Sequence, residues 1–374
     1  MRNGVRQRRF VLTLLMLSAL CAVCVAAVAA ANPPKLKINP IFTYNKPDRE
    51  QHLYACAKRE GELTLYTPST ATDATIRPAF EKSYPGVNLK TYVNSSTLST
   101  KLREEEDAGR HVFDVFDSTL GDLSRNDKYF QPFWSPAMKN VRPGLSSSYM
   151  IASNGYITGL GVYYNPNLVS SVDVPKTWKD MLNPKYKGKL YIGTDLTIPP
   201  AVGTLGAIYG KAWYVGLSKQ VRVVNASGRG VVDQVIAGTI PMAIFASSSY
   251  YKRDYLDKGA PLRLQVMSPA FAHFQASSIS KFTKRPCAAM LFVDWYVSRK
   301  SNGAQPVFAS LGNALPYPGA TTLPFPIAGQ LPQTKWKLYF QTSKELYAKL
   351  GFKNWTQTYR YYNIQFQKYF ILGG

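Results

Sequence analysis

Residues 63–119 read LTLYTPSTATDATIRPAFEKSYPGVNLKTYVNSSTLSTKLREEEDAGRHVFDVFDST. One pattern recurs three times in this stretch. Leu63-Thr-Leu-Tyr-Thr67 alternates and is rich in β-formers, so it predicts a strand. The polar run Pro68-Ser-Thr-Ala-Thr-Asp73 follows, then a short helix over Ile76–Ser83. Val87–Val93 alternates again, and Asn94-Ser-Ser-Thr97 opens a helix over Leu98–Ala108. Val112–Phe116 predicts a third strand, leaving Asp117-Ser-Thr119 as a third polar loop. Strand, polar loop and helix in repeated order are the signature of parallel βαβ units, hence an α/β fold. Upstream, Arg49–Arg59 predicts a helix stopped by Gly61.

The polar loops carry the functional expectation. In an open parallel sheet, loops leaving the C-terminal strand ends lie together and form the ligand crevice. Ser, Thr and Asn there either cap the following helix or bind a ligand. The candidates from this half are Ser69, Thr70, Ser95, Ser96, Ser118 and Thr119.

A second α/β pattern starts at Tyr156. Strands are predicted over Ile157–Tyr164, Lys189–Gly193, Pro241–Phe245 and Leu262–Met267, and helices over Pro175–Leu182 and Gly230–Gly238. Asp195–Gly203 predicts a loop feeding an apolar helix through Val215, and Ser268–Phe274 predicts another loop. Cys287–Arg299 predicts an amphipathic helix. Residues 315–332 are Pro-rich and irregular, and residues 333–374 read as helical, basic and aromatic. Ser227, Gly228 and Arg229 stand near a helix start, where Arg suits a carboxylate or phosphonate bidentately. Asp195 and Asp73 are candidate partners for a cationic amine.

Composition limits the function classes. The chain has 374 residues, 45 Lys+Arg against 22 Asp+Glu, a formal charge of +23, and only three His and four Cys. Dense zinc or disulfide scaffolds are excluded. No apolar run after residue 31 approaches the roughly 18 residues of a membrane-spanning helix. Residues 1–31 read as a cleaved signal peptide: Arg2, Arg6, Arg8 and Arg9 precede the apolar run Val11–Val28 and A-x-A sites near Ala31. Its removal lowers the charge by four, to +19, and leaves Cys56 and Cys287. These two either pair in an oxidising compartment or stay separate buried thiols. Residues 32–46, with three Pro, read as a tether.

Catalytic motifs are missing. HExxH and GxSxG do not occur. Gly206–Lys211 is one residue short of a phosphate-binding loop, and Ala212 replaces its Ser/Thr. Ser278-Ile-Ser-Lys281 matches SxxK without its companion motifs. His52, His111 and His273 sit in no triad-like setting.

Several pieces, in order, resemble the extracellular solute-binding proteins of ABC importers. They are Glu60-Gly-Glu-Leu-Thr-Leu-Tyr66, Phe80-Glu-Lys-Ser-Tyr-Pro-Gly86, Glu104–Gly109, Phe113-Asp-Val-Phe-Asp-Ser118, Tyr164-Asn165, Pro175-Lys-Thr-Trp-Lys-Asp180, Asn183-Pro-Lys-Tyr-Lys-Gly-Lys189, Ala237-Gly-Thr-Ile-Pro241 and Cys287–Ser301. The nearest branch is the ferric-ion-binding-like one, which also holds binders of small organic ions. The resemblance implies a two-lobed, type II-like periplasmic-binding-protein fold with a hinge and an interlobe cleft. The first lobe is then 47–155 plus about 270–325, and the second 156–269 plus about 326–374. It implies a periplasmic, monomeric receptor that is not an enzyme, needs no cofactor and binds no nucleic acid, and that delivers a small organic ion or Fe(III) to membrane permease subunits. It also places Ser249, Tyr250 and Tyr251 at the cleft, with the Tyr250–Tyr251 pair as metal ligands if the cargo is Fe(III). The family's usual His and Glu partners are absent from 68–73 and 117–119. The alternatives are a receptor feeding a sensor, a surface or polyanion binder using the basic, aromatic residues 331–374, and, last, a secreted enzyme.

Overall fold

Helix α1 (Arg49–Glu60) ends at Gly61, whose φ of 78° lies in the left-handed region and whose N–H returns to the Ala57 carbonyl. This is the stop the sequence predicts. The computed structural model to which it belongs describes residues 39–69, 72–94, 97–158, 161–195, 197–246, 251, 255–311, 313, 315–318, 338–340, 348, 350–353 and 355–373. Just before α1, Pro40–Thr43 is a 3-10 turn with Phe42 buried, so this part of the expected tether packs on the body of the protein.

The first β–α alternation follows as read. Strand β1 (Glu62–Thr67), helix α2 (Arg77–Ser83), strand β2 (Asn88–Val93), helix α3 (Leu98–Asp107) and strand β3 (Val115–Thr119) come in that order. β1 pairs parallel to both β2 and β3. The third strand starts later than predicted. Asp117, Ser118 and Thr119 are strand residues and not a loop, because they extend the ladder with an antiparallel neighbour. Helix α4 (Leu120–Arg125) then begins on Thr119, whose hydroxyl accepts the Asp122 N–H at 3.2 Å.

Strands β4 (Phe130–Gln131), β5 (Ser146–Ser147) and β6 (Met150–Thr158) lead to β7 (Gly161–Tyr164). The single strand predicted over 157–164 is therefore the end of β6 and all of β7, and these belong to two different sheets. After β7 come β8 (Leu190–Ile192), α5 (Ile198–Tyr209), α6 (Lys211–Gln220), β9 (Val221–Val223), α7 (Gly228–Ile236), β10 (Met242–Ile244) and β11 (Arg263–Val266). The expected helix over 175–182 is only a 3-10 turn at Asp180–Leu182. The loop expected over 195–203 is mostly the first turn of α5, since Pro199 and Pro200 occupy opening positions that need no N–H. Gly210, at φ 91°, separates α5 from α6.

β12 (Ala270–Ser280) replaces the loop expected over 268–274. It runs up the middle of the first sheet, in the order β2-β1-β3-β12-β6-β5, with β4 and β13 (Leu338–Phe340) also paired to it. Two helices, α8 (Pro286–Tyr296) and α9 (Ala304–Ser310), follow it. The terminal region is part strand, β13, and part helix, α10 (Trp355–Phe366). α10 lies on α5, where a Cβ on Gly203 would stand 2.3 Å from Tyr362. The second sheet has the order β11-β7-β10-β8-β9. Trp178, Trp213, Tyr214 and Phe366 are among its buried packing partners. No helix among the described residues is long and apolar enough to cross a membrane.

Two chain crossings join the sheets, and they run side by side. Val266 pairs with Gly161 at the end of the second sheet, and Phe271 pairs with Thr158 at the start of the first. Gly161 is required there: a Cβ would stand 1.9 Å from the Gln265 carbonyl oxygen. Two antiparallel backbones side by side give the halves a common axis about which to bend, and α10 packs on α4 of the first half as well as on α5 of the second.

α1 and α8 lie antiparallel on the first sheet and are joined at both ends. Cys56 and Cys287 form a disulfide with Cα atoms 5.7 Å apart. The Glu60 carboxylate accepts the N–H groups of Cys287 and Ala288, which have no partner within the helix at the start of α8. At the other end, Arg49 Nε donates to Asp294 Oδ2 at 2.6 Å.

Candidate functional site: the base of the cleft

The two crossing strands carry a row of polar side chains. β12 presents His273, Gln275 and Ser277 at alternate positions, hence on one face. Gln275 stands opposite Thr119 of β3 on one side and Asn154 of β6 on the other. The register slips here: Gln275 faces Asn154 but Ala276 faces Ala152, leaving Ser153 as a bulge residue. The bulge turns the Ser153 hydroxyl onto Asp117 Oδ1, donating at 2.7 Å. Ser277 donates to the same oxygen at 3.0 Å, and Thr67 donates to Oδ2 at 3.3 Å.

Asp117 is fully buried, and burial pushes its carboxyl up to about 7 against these three hydrogen bonds. His273 is also buried. Desolvation holds its imidazole down to about 4, with the Asp195 carboxylate pulling weakly the other way. That electrostatic contact joins the sheets, since His273 belongs to the first and Asp195 follows β8 of the second.

The row leaves hydrogen-bonding groups without partners. Both Asn154 amide atoms, Gln275 Oε1 and Gln305 Oε1 are buried and unpaired among the described residues. Gln305 Nε2 is engaged, donating to the carbonyls of Ser153 and Tyr296. Each orphaned polar atom costs about 1–3 kcal/mol, so a protein retains several together where something else satisfies them. Thr119 is half-buried and its hydroxyl proton remains available for donation.

The sequence-expected residues fall into three groups. Ser69 and Thr119 lie at strand ends beside this row, Ser69 buried just after β1. Thr70, Ser95, Ser96, Ser249 and Tyr250 lie outside the described residues. The rest are committed elsewhere. Ser118 donates to Asp122 at 2.8 Å on the opposite strand face. Asp195 accepts the Gly228 N–H at 2.7 Å and the Thr197 N–H and hydroxyl. Its carboxylate therefore occupies the start of α7, the place expected to hold a ligand anion. Ser227 caps the same helix through the Gly230 N–H. Arg229 is exposed and lies over the Tyr255 ring. Asp73 is bound by Arg77 and Thr91 at the surface.

Tyr251 is buried, its ring edge-on to Tyr163 at 5.5 Å, and its hydroxyl is pushed up to about 12 by burial. Such a group resists becoming the tyrosinate that Fe(III) needs. Among the described residues, the one cluster of three metal-type ligands is Cys56, Glu60 and Cys287, whose sulfurs are bonded to each other. Sequence reasoning missed Asn154, Gln275 and His273. The polar alternation His273-x-Gln275-x-Ser277 within an apolar segment was the available signal.

The known proteins agree with this architecture. Iron-bound HitA from Pseudomonas aeruginosa superposes with a TM-score of 0.63 at 18% identity, covering 81% of this chain and 99% of that one. The periplasmic binding protein AfuA from Actinobacillus pleuropneumoniae, with fructose-6-phosphate bound, gives 0.63 at 18% identity, covering 84% and 100%. The spermidine/putrescine-type substrate-binding protein PotD from Streptococcus pneumoniae gives 0.54 at 13% identity, covering 81% and 99%. No curated protein matches the chain in sequence. The family of bacterial extracellular solute-binding proteins matches residues 66–303, more than half of the chain. Two sheets joined by paired crossings, this match and these folds together make the chain a member of the bacterial extracellular solute-binding protein family.

Proposed function

We propose that the chain is the substrate-binding component of an ABC importer, and that its cargo is a small polar organic solute held at the Thr119–Gln275–Asn154 row. The observation that carries this reading is the set of unpaired amide atoms on the two crossing strands. A ligand with adjacent donors and acceptors satisfies them in pairs. Ser69 and Thr119 add hydroxyl donors from the first sheet, and His273 stays neutral beside them. Bending at the crossings closes the second sheet over the solute. The closed form is then read by a membrane permease. The protein acts as a monomer in the periplasm, after export directed by residues 1–31, and performs no turnover.

Fold alone does not choose the cargo. The similar structures carry iron or a sugar phosphate, or bear a polyamine name. The donor set here is amide and hydroxyl, with the Tyr251 hydroxyl held protonated. It suits an organic solute better than a hard trivalent cation, which wants anionic oxygens. A thermal-shift panel on protein refolded free of ligand tests this, with sugars, sugar phosphates, small carboxylates, phosphonates, polyamines, thiamine and ferric citrate. A cognate solute at about 100 times its dissociation constant adds about 2.7 kcal/mol. The expected result is a shift of several degrees with one organic solute and none with ferric citrate. A shift with ferric citrate alone, lost in Tyr250→Phe, contradicts the organic reading.

A further inference from the structure

A second cavity lies in the first half of the molecule, at the Arg49–Asp294 end of the α1–α8 pair. Its volume is about 500 Å³. Small-molecule sites fall at about 300–1,000 Å³. None of the cleft residues lines it. The half-buried Trp134 forms part of its wall, together with the buried rings of Tyr84, Trp295 and Tyr317.

The charges around it do not cancel. Arg49 is bonded to Asp294, and Lys300 pairs with Glu50 at 2.5 Å. Two more lining cations, Lys46 and Arg299, are exposed and meet no carboxylate among the described residues. Arg299 lies over the Tyr317 ring at 5.1 Å, which holds the guanidinium at the pocket, and Lys46 lies over Tyr44 at 5.9 Å. Two neutral pairs and two uncommitted cations leave a net positive, aromatic-walled pocket. Such a pocket favours a negative group on a flat apolar body: the guanidinium takes a carboxylate or phosphate bidentately, and the rings cover the body.

We propose that this pocket is a second binding site, separate from the cleft, for a small aromatic anion, a planar ring bearing a carboxylate or phosphate.

Titration of the full chain with phenyl phosphate and with benzoate tests this, followed by calorimetry and tryptophan fluorescence, with benzyl alcohol as the uncharged control. The expected result is saturable binding of at least one anion and none of the alcohol. The affinity should fall about tenfold in Arg299→Gln, the loss of one charge-assisted bond, and further in Lys46→Gln/Arg299→Gln. Asn154→Ala, in the cleft, should leave it unchanged. Both cation variants alter exposed side chains, and circular dichroism checks their fold. Absence of saturable binding at millimolar anion overturns the proposal. So does binding that survives the double substitution, equals that of the alcohol, or disappears in Asn154→Ala.

Discussion

Asn154 is the residue on which the proposed site rests most heavily. Its amide is buried with neither atom paired among the described residues, a net cost to the empty protein. Replacing it should therefore separate binding from stability. Asn154→Ala is expected to weaken solute binding about tenfold or more while leaving the urea midpoint of the empty protein unchanged or raised. A lowered midpoint with unchanged affinity would make it a structural residue. Asp117 and His273 give a second test, through pH. The unfolded Asp117 carboxyl releases its proton near pH 3.9, whereas the folded one holds it to about 7. Between these values the folded state binds more protons, so this group makes stability fall as pH rises. His273 acts oppositely. Unfolded, its imidazole protonates below about 6.5, but folded it resists down to about 4, so stability falls as pH drops. Each slope is at most about 1.4 kcal/mol per pH unit, and the two oppose each other over the same range. The difference in unfolding free energy, variant minus wild type, should rise with pH for Asp117→Asn and fall for His273→Asn. Flat differences for both would contradict the buried, shifted state of these groups. None of this was legible residue by residue, because Asn154 and Gln275 meet only through a bulged register that no local sequence signal sets.

At the scale of elements, local pattern served well where one segment decides its own state. α1, β1 and β2 follow from periodicity and Gly61. It failed where a distant partner decides. Asp117–Thr119 and Ala270–Phe274 are polar or mixed in sequence, yet each lengthens a strand, the first because Gln275–Ser277 lies beside it and the second because β6 does. The Cys56–Cys287 bond is another distant pairing, 231 residues apart, and composition left it open. It joins one end of α1 to α8, and the Arg49–Asp294 pair joins the other. Cys56→Ser/Cys287→Ser should cost about 3–5 kcal/mol, read as a lower urea midpoint that dithiothreitol no longer moves. Arg49→Met leaves the Asp294 carboxyl without its cation and should cost about 3 kcal/mol. If either loss is negligible, the helix pair does not depend on that end. Gly161→Ala should be more damaging than Gly210→Ala. The first meets backbone at 1.9 Å and the second, despite its positive φ, meets open space.

At the scale of the whole molecule, two α/β halves were legible from the alternation of elements, but their junction was not. The sequence over 157–164 reads as one strand, and only the pairing partners reveal that it leaves one sheet and enters another. The proposed site lies at that junction, on side chains of β3, β6 and β12 rather than on the loops alone. The polar loops named Ser69 and Thr119 of the proposed row, and Asn154 and Gln275 lie on strands that the loop argument did not cover. The central claim is that these strands hold a small organic solute. Native mass spectrometry of the folded protein, purified without a refolding step, tests it most directly. The expected result is a noncovalent adduct with the mass of a small organic molecule, released on unfolding and missing from Asn154→Ala. An iron adduct instead, or an organic adduct that Asn154→Ala retains in full, would contradict it.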